Sequence, residues 1–134
     1  VTNKIVKTAV AIKLGLEKKL VLGNLDAYRD WGHAKDYVKA MRMIINHSIP
    51  DDFVIATGQT NSVREMCNYV FNKLNLSYKD YIIQNPKYMR PEELSYLCGD
   101  ATKAKNTLGW APTYNFKSLM DEIIEYWSNQ IDGI

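Results

Sequence analysis

The order of apolar and polar positions divides the 134-residue chain into pieces of helix and strand length. Over residues 3–16, Ile5, Ala9, Ile12 and Leu16 recur at helical spacing, while Lys4, Lys7 and Lys13 fall off that stripe. Thr2 is placed to cap this helix and Gly15 to end it. Lys19-Leu-Val-Leu22 reads as a short apolar strand, followed by a turn at Gly23-Asn24 and a loop that exposes Arg29, Asp30 and Trp31. A second helix is predicted after Gly32, from about His33 to Asn46, with Tyr37, Val38, Met41, Ile44 and Ile45 on its buried face. Pro50 prevents its continuation, and His47 is expected to cap its C-terminus.

Phe53-Val-Ile-Ala-Thr57 is a mostly apolar run ending at Gly58, the pattern of a strand covered on both faces in a parallel sheet. Ser62-Val-Arg-Glu65 is a capping box that opens a helix with Val63, Met66, Cys67, Val70, Phe71 and Leu74 on one side. Asp80-Tyr-Ile-Ile-Gln84 reads as another strand. Residues 85–99 read as irregular, with Pro86 and Pro91 flanking Lys87, Tyr88 and Arg90. Asp100 caps a short helix ending near Leu108, with Gly109 just past its end, and Trp110-Ala-Pro112 makes a turn. The last helix, about 115–130, would bury Phe116, Leu119, Met120, Ile123, Ile124 and Trp127.

These elements, about five helices and three or four short strands without a dividing linker, predict a single domain over 1–134 of the α/β class, in an α+β-like arrangement. The strands are too few and too short for a self-standing doubly wound sheet and would sit more naturally beside a neighbouring domain. The chain opens with Val1-Thr2, without Met, directly into a helical pattern, which suggests a piece of a longer protein whose remainder lies upstream.

Composition narrows the function classes. A net charge of +2 with no block of like charge gives no reason to expect nucleic acid. No apolar run reaches membrane-spanning length and no signal peptide is visible, so no membrane association and a cytoplasmic location are expected. Cys67 and Cys98 are outside any CxxC, and no Cys/His group has ligand spacing, so two thiols in a reducing compartment and no metal are expected.

There is no GxGxxG, P-loop or GxSxG, and no catalytic set emerges. One Tyr is followed by Lys four residues on, Tyr69 with Lys73, and there Lys73 is most simply a solvated side chain. What remains is a group of ligand-type residues: Arg29, Arg90 and Glu93 in loops, and Lys4 in the first turn of the first helix. Guanidinium forks suit phosphate oxygens, a helix N-terminus favours anions, and a carboxylate accepts from paired sugar hydroxyls. Tyr28, Trp31 and Tyr88 would supply apolar walls. Each has a plainer reading as well. Arg29 can pair with Asp26 or Asp30, Arg90 with Glu93; Lys4 can be solvated, and the aromatic rings can belong to a core or an inter-domain surface. The anionic-ligand reading requires Arg29 and Arg90 to converge on one pyrophosphate-sized pocket beside a strand edge.

The stretch Leu22-Gly-Asn-Leu-Asp-Ala-Tyr-Arg-Asp-Trp-Gly-His-Ala-Lys-Asp-Tyr-Val38 closely resembles the GDP-mannose 4,6-dehydratase family, of the extended short-chain dehydrogenase/reductase class. The similarity continues at Asp52–Gly58, Ser62–Glu65, Tyr88-Met-Arg-Pro-Glu-Glu93, Gly99–Lys105 and Leu108-Gly-Trp-Ala-Pro112. Val1-Thr-Asn-Lys-Ile5 is similar to the family's entry sequence, with Asn3 where Arg is usual. The resemblance implies a C-terminal substrate-binding lobe. It implies that the NADP-binding Rossmann domain, with its catalytic Thr, Glu, Tyr and Lys, lies outside these residues. By motif position it implies that Lys4, Arg29, Arg90 and Glu93 contact GDP-mannose, the two arginines at the diphosphate and Glu93 at the ribose, with the strand Leu20 to Asn24 beside the guanine. The implied reaction is that of a lyase feeding GDP-fucose biosynthesis: hydride leaves C4 of the mannose for NADP, water is lost across C5 and C6, and hydride returns to C6. The implied full-length form is a homodimer or homotetramer, and the segment alone is expected to be inactive. The residues leave open a related sugar-nucleotide epimerase, dehydratase or reductase, and a non-catalytic nucleotide-binding module.

Overall fold

In the computed structural model, which describes residues 1–132, the first stripe forms α1 (Thr2–Lys13). Thr2 is inside the helix rather than its cap: Val1 occupies the N-cap position and no side chain caps the end. Gly15 takes φ +74°, the left-handed conformation that a side chain resists. Leu16 therefore lies past the turn and is exposed, so the buried stripe ends at Ile12. The remaining elements are β1 (Leu20–Leu22), β2 (Tyr28–Arg29), α2 (Ala34–Ile45), β3 (Asn61–Ser62), α3 (Val63–Lys73), α4 (Tyr78–Tyr81), β4 (Ile82–Gln84), a 3-10 turn at Pro86–Tyr88, α5 (Thr102–Leu108) and α6 (Phe116–Asp132). The predicted mixture of helices with small sheets is what forms. The predicted strand over 80–84 loses its first residues to the one-turn α4, and that turn is the sixth helix. No helix among the described residues is long and apolar enough to cross a membrane.

The chain separates into two compact units. The first comprises Val1–Ala27, Ser62–Ser95 and the described residues from Met120 on. Its centre is α1 against α3, with Ile5, Val6, Ala9, Val10, Met66, Cys67, Val70 and Phe71 buried. The capping box forms as read: the Ser62 hydroxyl accepts from Glu65 N at 3.0 Å and the Glu65 carboxylate accepts from Ser62 N at 2.7 Å. Burial pushes the Cys67 thiol up to about 12, which makes it inert core, whereas Cys98 in the other unit is exposed. β1 and β4 pair in parallel, Leu20 opposite Ile82 and Leu22 opposite Gln84. Asn85 N continues the ladder to Leu22 O at 2.8 Å. The chain then folds back over its own strand end, and a Cβ on Gly23 would fall on the carbonyl of Tyr88. Asn3, the position where the family resemblance leads one to expect Arg, accepts from Trp127 Nε1 at 3.3 Å and ties α6 to α1.

The second unit comprises Tyr28–Asn61 and Tyr96–Leu119. Ala40, Ala104 and Trp110 form its core, with Tyr37, Met43, Phe53, Ile55 and Leu108 packed around them. α2 is turned by about one residue, roughly 100°, from the predicted orientation. Asp36 and Ala40 face inward, while Val38, Met41 and Ile45 are exposed, Ile45 by 82%. Two interactions set that rotation. Ala40 is small enough for Trp110 to pack against it, and Trp110 Nε1 donates to Asp36 O at 2.9 Å. The Asp36 carboxylate accepts from Thr113 N at 2.9 Å, Tyr114 N at 3.0 Å and the Thr113 hydroxyl at 2.6 Å. His33 is the N-cap of α2, accepting from Lys35 N at 3.0 Å, and its ring stacks on Tyr114 at 3.9 Å. At the far end Asn46 is the C-cap, and His47 follows it with its N–H on Ile44 O.

Phe53–Thr57 does not become a strand. Phe53 and Ile55 turn to the Trp110 core while Val54 is exposed, so this run is covered on one face only and no ladder forms along it among the described residues. The α5 helix ends as predicted, with Gly109 at φ +70° and the N–H groups of Gly109 and Trp110 on the carbonyls of Lys105 and Ala104. Asp100 acts one residue ahead of the cap position, which Ala101 holds. Its carboxylate accepts from Thr102 N at 2.9 Å and from the Thr102 hydroxyl.

Burial works to raise the Asp36 carboxyl, but the Thr113 hydroxyl, the N–H groups of Tyr114 and Thr113 and the nearby His33 outweigh it and hold the group below its ordinary 3.8. Replacing Asp36 with Ala should cost about 1–3 kcal/mol of stability in urea denaturation, the cost of stranding the buried donors it satisfies. Because its native pKa is depressed, its stabilisation is complete above pH 3.8 and is lost as pH falls through the lower native value. The stability gap between the wild type and Asp36→Asn should accordingly narrow on acidification below that point. Gly23→Ala should force the 85–93 segment off the strand end at a cost of about 1–3 kcal/mol. Amide exchange at Tyr88 and Met89, whose N–H groups now bind Asn85 O and Pro86 O, should quicken.

Candidate functional site

In open α/β sheets, ligands bind beyond the carboxyl ends of parallel strands. The first unit has one such end, where β1 and β4 stop, and three of the four sequence-derived ligand residues belong to the segments that meet there. Lys4 Nζ donates to Val21 O at 2.7 Å and lies over the Tyr88 ring at 5.2 Å from its centre. Glu93 accepts through Oε2 from Asn24 Nδ2 at 3.1 Å, and Asn24 Oδ1 in turn accepts from Asp26 N at 2.9 Å. Gln84 Nε2 donates to Gly23 O at 3.2 Å. The turn after β1 is thereby clasped by the 84–93 segment. Arg90, two residues beyond Tyr88, is exposed, and its guanidinium makes no hydrogen bond or ion pair among the described residues. The carbonyls of Val21, Leu22 and Gly23 each already accept one internal hydrogen bond, which leaves one lone pair apiece for a further donor.

Arg29 belongs to the second unit. It is not in a free loop but in β2, half-buried, with Nη1 donating to Tyr28 O at 2.7 Å. Neither carboxylate named as its possible ion-pair partner is set aside for it. Asp26 is held by Arg64, Nε to Oδ1 at 2.8 Å and Nη2 to Oδ2 at 3.1 Å, and that hydrogen-bonded pairing keeps the Asp26 carboxyl below its ordinary value. The Arg64 guanidinium is correspondingly raised, with Asp26 the main cause and the Tyr78 hydroxyl the next. Asp30 binds backbone donors of Gly58 and Gly99 and both the N–H and the hydroxyl of Thr57.

The Tyr69/Lys73 pair is structural. Tyr69 donates to Asp121 Oδ1 at 2.8 Å and Lys73 pairs with the same carboxylate at 3.3 Å, so Lys73 is an ion-pair partner rather than the solvated side chain expected. Burial, and then Asp121, push the Tyr69 hydroxyl upward, against the direction a proton-transferring tyrosine needs. The expected aromatic walls divide: Tyr88 lies with Lys4, Tyr28 lies beside Tyr96 at 6.1 Å, and Trp31 lies beside Phe116 at 6.1 Å. Trp31 also lines a cavity of about 280 Å³ in the second unit, with Thr57, Gln59, Asn61, Tyr114 and Phe116. Two further cavities lie beside Asp100 and Trp110, of about 410 Å³, and beside Arg64 and Tyr78, of about 310 Å³. Lys4, Arg29, Arg90 and Glu93 line none of these three. The sequence reading missed Asn24, Asp30 and Asp36. Their signal was an Asn or Asp at a turn or first helical turn, which is common enough to pass as ordinary capping.

Known proteins give this geometry a context. The family model for GDP-mannose 4,6 dehydratase matches residues 1–123. The GDP-mannose 4,6 dehydratase 2 of Arabidopsis thaliana is 45% identical over 125 residues, covering 93% of this chain and 34% of that protein. The GDP-mannose 4,6 dehydratase of Homo sapiens is 40% identical over 141 residues, covering 92% of this chain and 38% of that protein. This chain thus spans little more than a third of the length of these relatives. Among solved structures, the RMD protein of Pseudomonas aeruginosa complexed with NADPH superposes with a TM-score of 0.86 at 21% identity, over 96% of this chain and 42% of that one. The dTDP-glucose 4,6-dehydratase of Bacillus anthracis, in complex with NAD, superposes with a TM-score of 0.78 at 20% identity, over 96% and 40%. These two superpositions establish a shared fold. The match over residues 1–123 and the close relatives establish more: the chain belongs to the GDP-mannose 4,6-dehydratase family.

Proposed function

We propose that this chain is the substrate-binding part of a GDP-mannose 4,6-dehydratase, a lyase that converts GDP-mannose to GDP-4-keto-6-deoxymannose. The observation that carries the reading is the clasp at the end of the β1/β4 pair, where Lys4, Asn24 and Glu93 are fixed beside an exposed Arg90. Such a strand end offers what a nucleoside diphosphate needs: cationic donors, a carboxylate and free carbonyl lone pairs. In this proposal Arg90 and Arg29 neutralise the diphosphate, Glu93 accepts from the ribose hydroxyls, and the Lys4 ammonium, one of its three protons already on Val21 O, adds charge nearby. The strand Leu20–Asn24 lies along the guanine.

The chain's contribution to the reaction is binding and orientation. Contacts remote from the hexose fix the nucleotide, and the energy of those contacts positions the reacting carbons. NADP, when bound, supplies hydride acceptance from C4 and donation to C6. The residues present here do not fit it: none of the chain's loops has the GxGxxG spacing that cradles a dinucleotide pyrophosphate, and the parallel sheet among the described residues has two strands. The cofactor and the catalytic residues are therefore assigned to an N-terminal Rossmann domain outside these 134 residues, in an enzyme that works in the cytoplasm as a homodimer or homotetramer.

In the full-length enzyme, Arg90→Ala should weaken GDP-mannose binding by about 1.5–3 kcal/mol, the range for a hydrogen bond to a charged group. An unchanged Kd in calorimetric titration would return Arg90 to the solvated surface. Titration with GDP-mannose, UDP-glucose and dTDP-glucose should favour the guanine nucleotide, and preference for a pyrimidine would move the assignment to another sugar-nucleotide enzyme. The 134 residues alone should form no 4-keto sugar, and appreciable turnover by them would contradict the division of labour proposed.

A further inference from the structure

Asp30 directly follows Arg29, and the sequence placed it in an exposed loop. Its carboxylate is instead saturated by donors from within its own unit. Oδ1 accepts from Thr57 N at 3.0 Å and from the Thr57 hydroxyl; Oδ2 accepts from Gly58 N at 2.9 Å and Gly99 N at 3.3 Å. Two of these donors depend on glycine. Gly58 adopts φ +75°, which side-chain-bearing residues avoid, and a Cβ on Gly99 would fall on Ala56 Cβ. On the other flank of Arg29, the Tyr28 carbonyl accepts from Leu97 N at 3.1 Å, and Tyr28 bridges Tyr96 in the parallel sense. The backbone is therefore pinned on both sides of Arg29, by a carbonyl before it and by a carboxylate after it.

A pinned backbone matters to a cation that must meet an anion. An arginine on a mobile loop loses chain entropy when its ligand binds, whereas one on a fixed backbone has lost it during folding. The saturation of Asp30 matters too. A carboxylate next to a phosphate-binding arginine would repel the ligand and compete for the guanidinium unless its charge were engaged elsewhere, and four donors engage it here. We infer that Asp30 is a positioning residue for Arg29, holding the backbone from which the guanidinium meets the ligand's diphosphate while keeping its own carboxylate out of the ion pair. The inference rests on the proposed assignment of Arg29 to that diphosphate.

The test is a double-mutant cycle in the full-length enzyme, read as the Kd for GDP-mannose by calorimetry. Arg29→Ala and Asp30→Asn should each raise Kd about tenfold or more. Asp30→Asn added to Arg29→Ala should change Kd less than about twofold, because a residue acting through another has nothing left to act on. In steady-state kinetics of Asp30→Asn, KM should rise by a larger factor than kcat falls. Thr57→Val, which removes only the hydroxyl donor, should show a smaller rise that also vanishes without Arg29, and it serves if Asp30→Asn does not fold. Loss of binding in Arg29→Ala with an unchanged Kd in Asp30→Asn, or in Thr57→Val where it stands in, overturns the inference alone, as does an equal rise with and without Arg29. No binding by the unaltered enzyme, or an Arg29→Ala variant that binds normally, overturns the diphosphate assignment and the inference with it.

Discussion

Backbone N–H groups removed from water must find acceptors, and in the second unit aspartate side chains supply several of them. Asp36 takes the N–H groups of Thr113 and Tyr114, and Asp30 takes those of Thr57, Gly58 and Gly99. Each carboxylate draws together segments far apart in the chain. The Thr113–Tyr114 turn ahead of α6 and the turn at Gly58 depend on these two acceptors, while the Trp110 ring is held by the main-chain carbonyl of Asp36. A charged acceptor makes a stronger bond than a carbonyl, and two oxygens can serve several donors at once. This suits a unit whose apolar run at Phe53–Thr57 forms no ladder of its own.

The first unit solves the same problem with regular structure. A capped α3 lies on α1, and a short parallel pair runs alongside, continued by Asn85. What distinguishes it is the way the chain returns over its own strand end. The absence of a side chain at Gly23 allows the Tyr88 backbone to close on the turn, and Asn24 fastens it through Glu93. The clasp gives three ligand-type residues a common frame.

Local patterns were the readable part. The Ser62 capping box, the Gly109 helix end and the α3 stripe each depend on residues within a turn or two of one another, and each forms as the spacing implies. The loose ends are those that depend on partners. Periodicity misplaces the face of α2 because it weighs Val38, Met41 and Ile45 above an aspartate, while burial is decided by Trp110 and by two distant N–H groups. Thr2 failed as a cap because the helix begins a residue earlier. Lys73 looks solvated from the sequence because its partner Asp121 is forty-eight positions away.

The sequence by itself determined where α3 starts and where α5 ends, which thiol is core, and which family motifs the chain carries, because these are functions of neighbours along the chain or of residue identity alone. Only the tertiary structure decided that Asp26 belongs to Arg64, that Asp30 is a backbone acceptor, and that Lys4 and Glu93 share the end of one parallel pair. A carboxylate or an ammonium carries no mark of its partner. That choice is made by which donors the folded backbone brings within about 3 Å, and no local pattern encodes it.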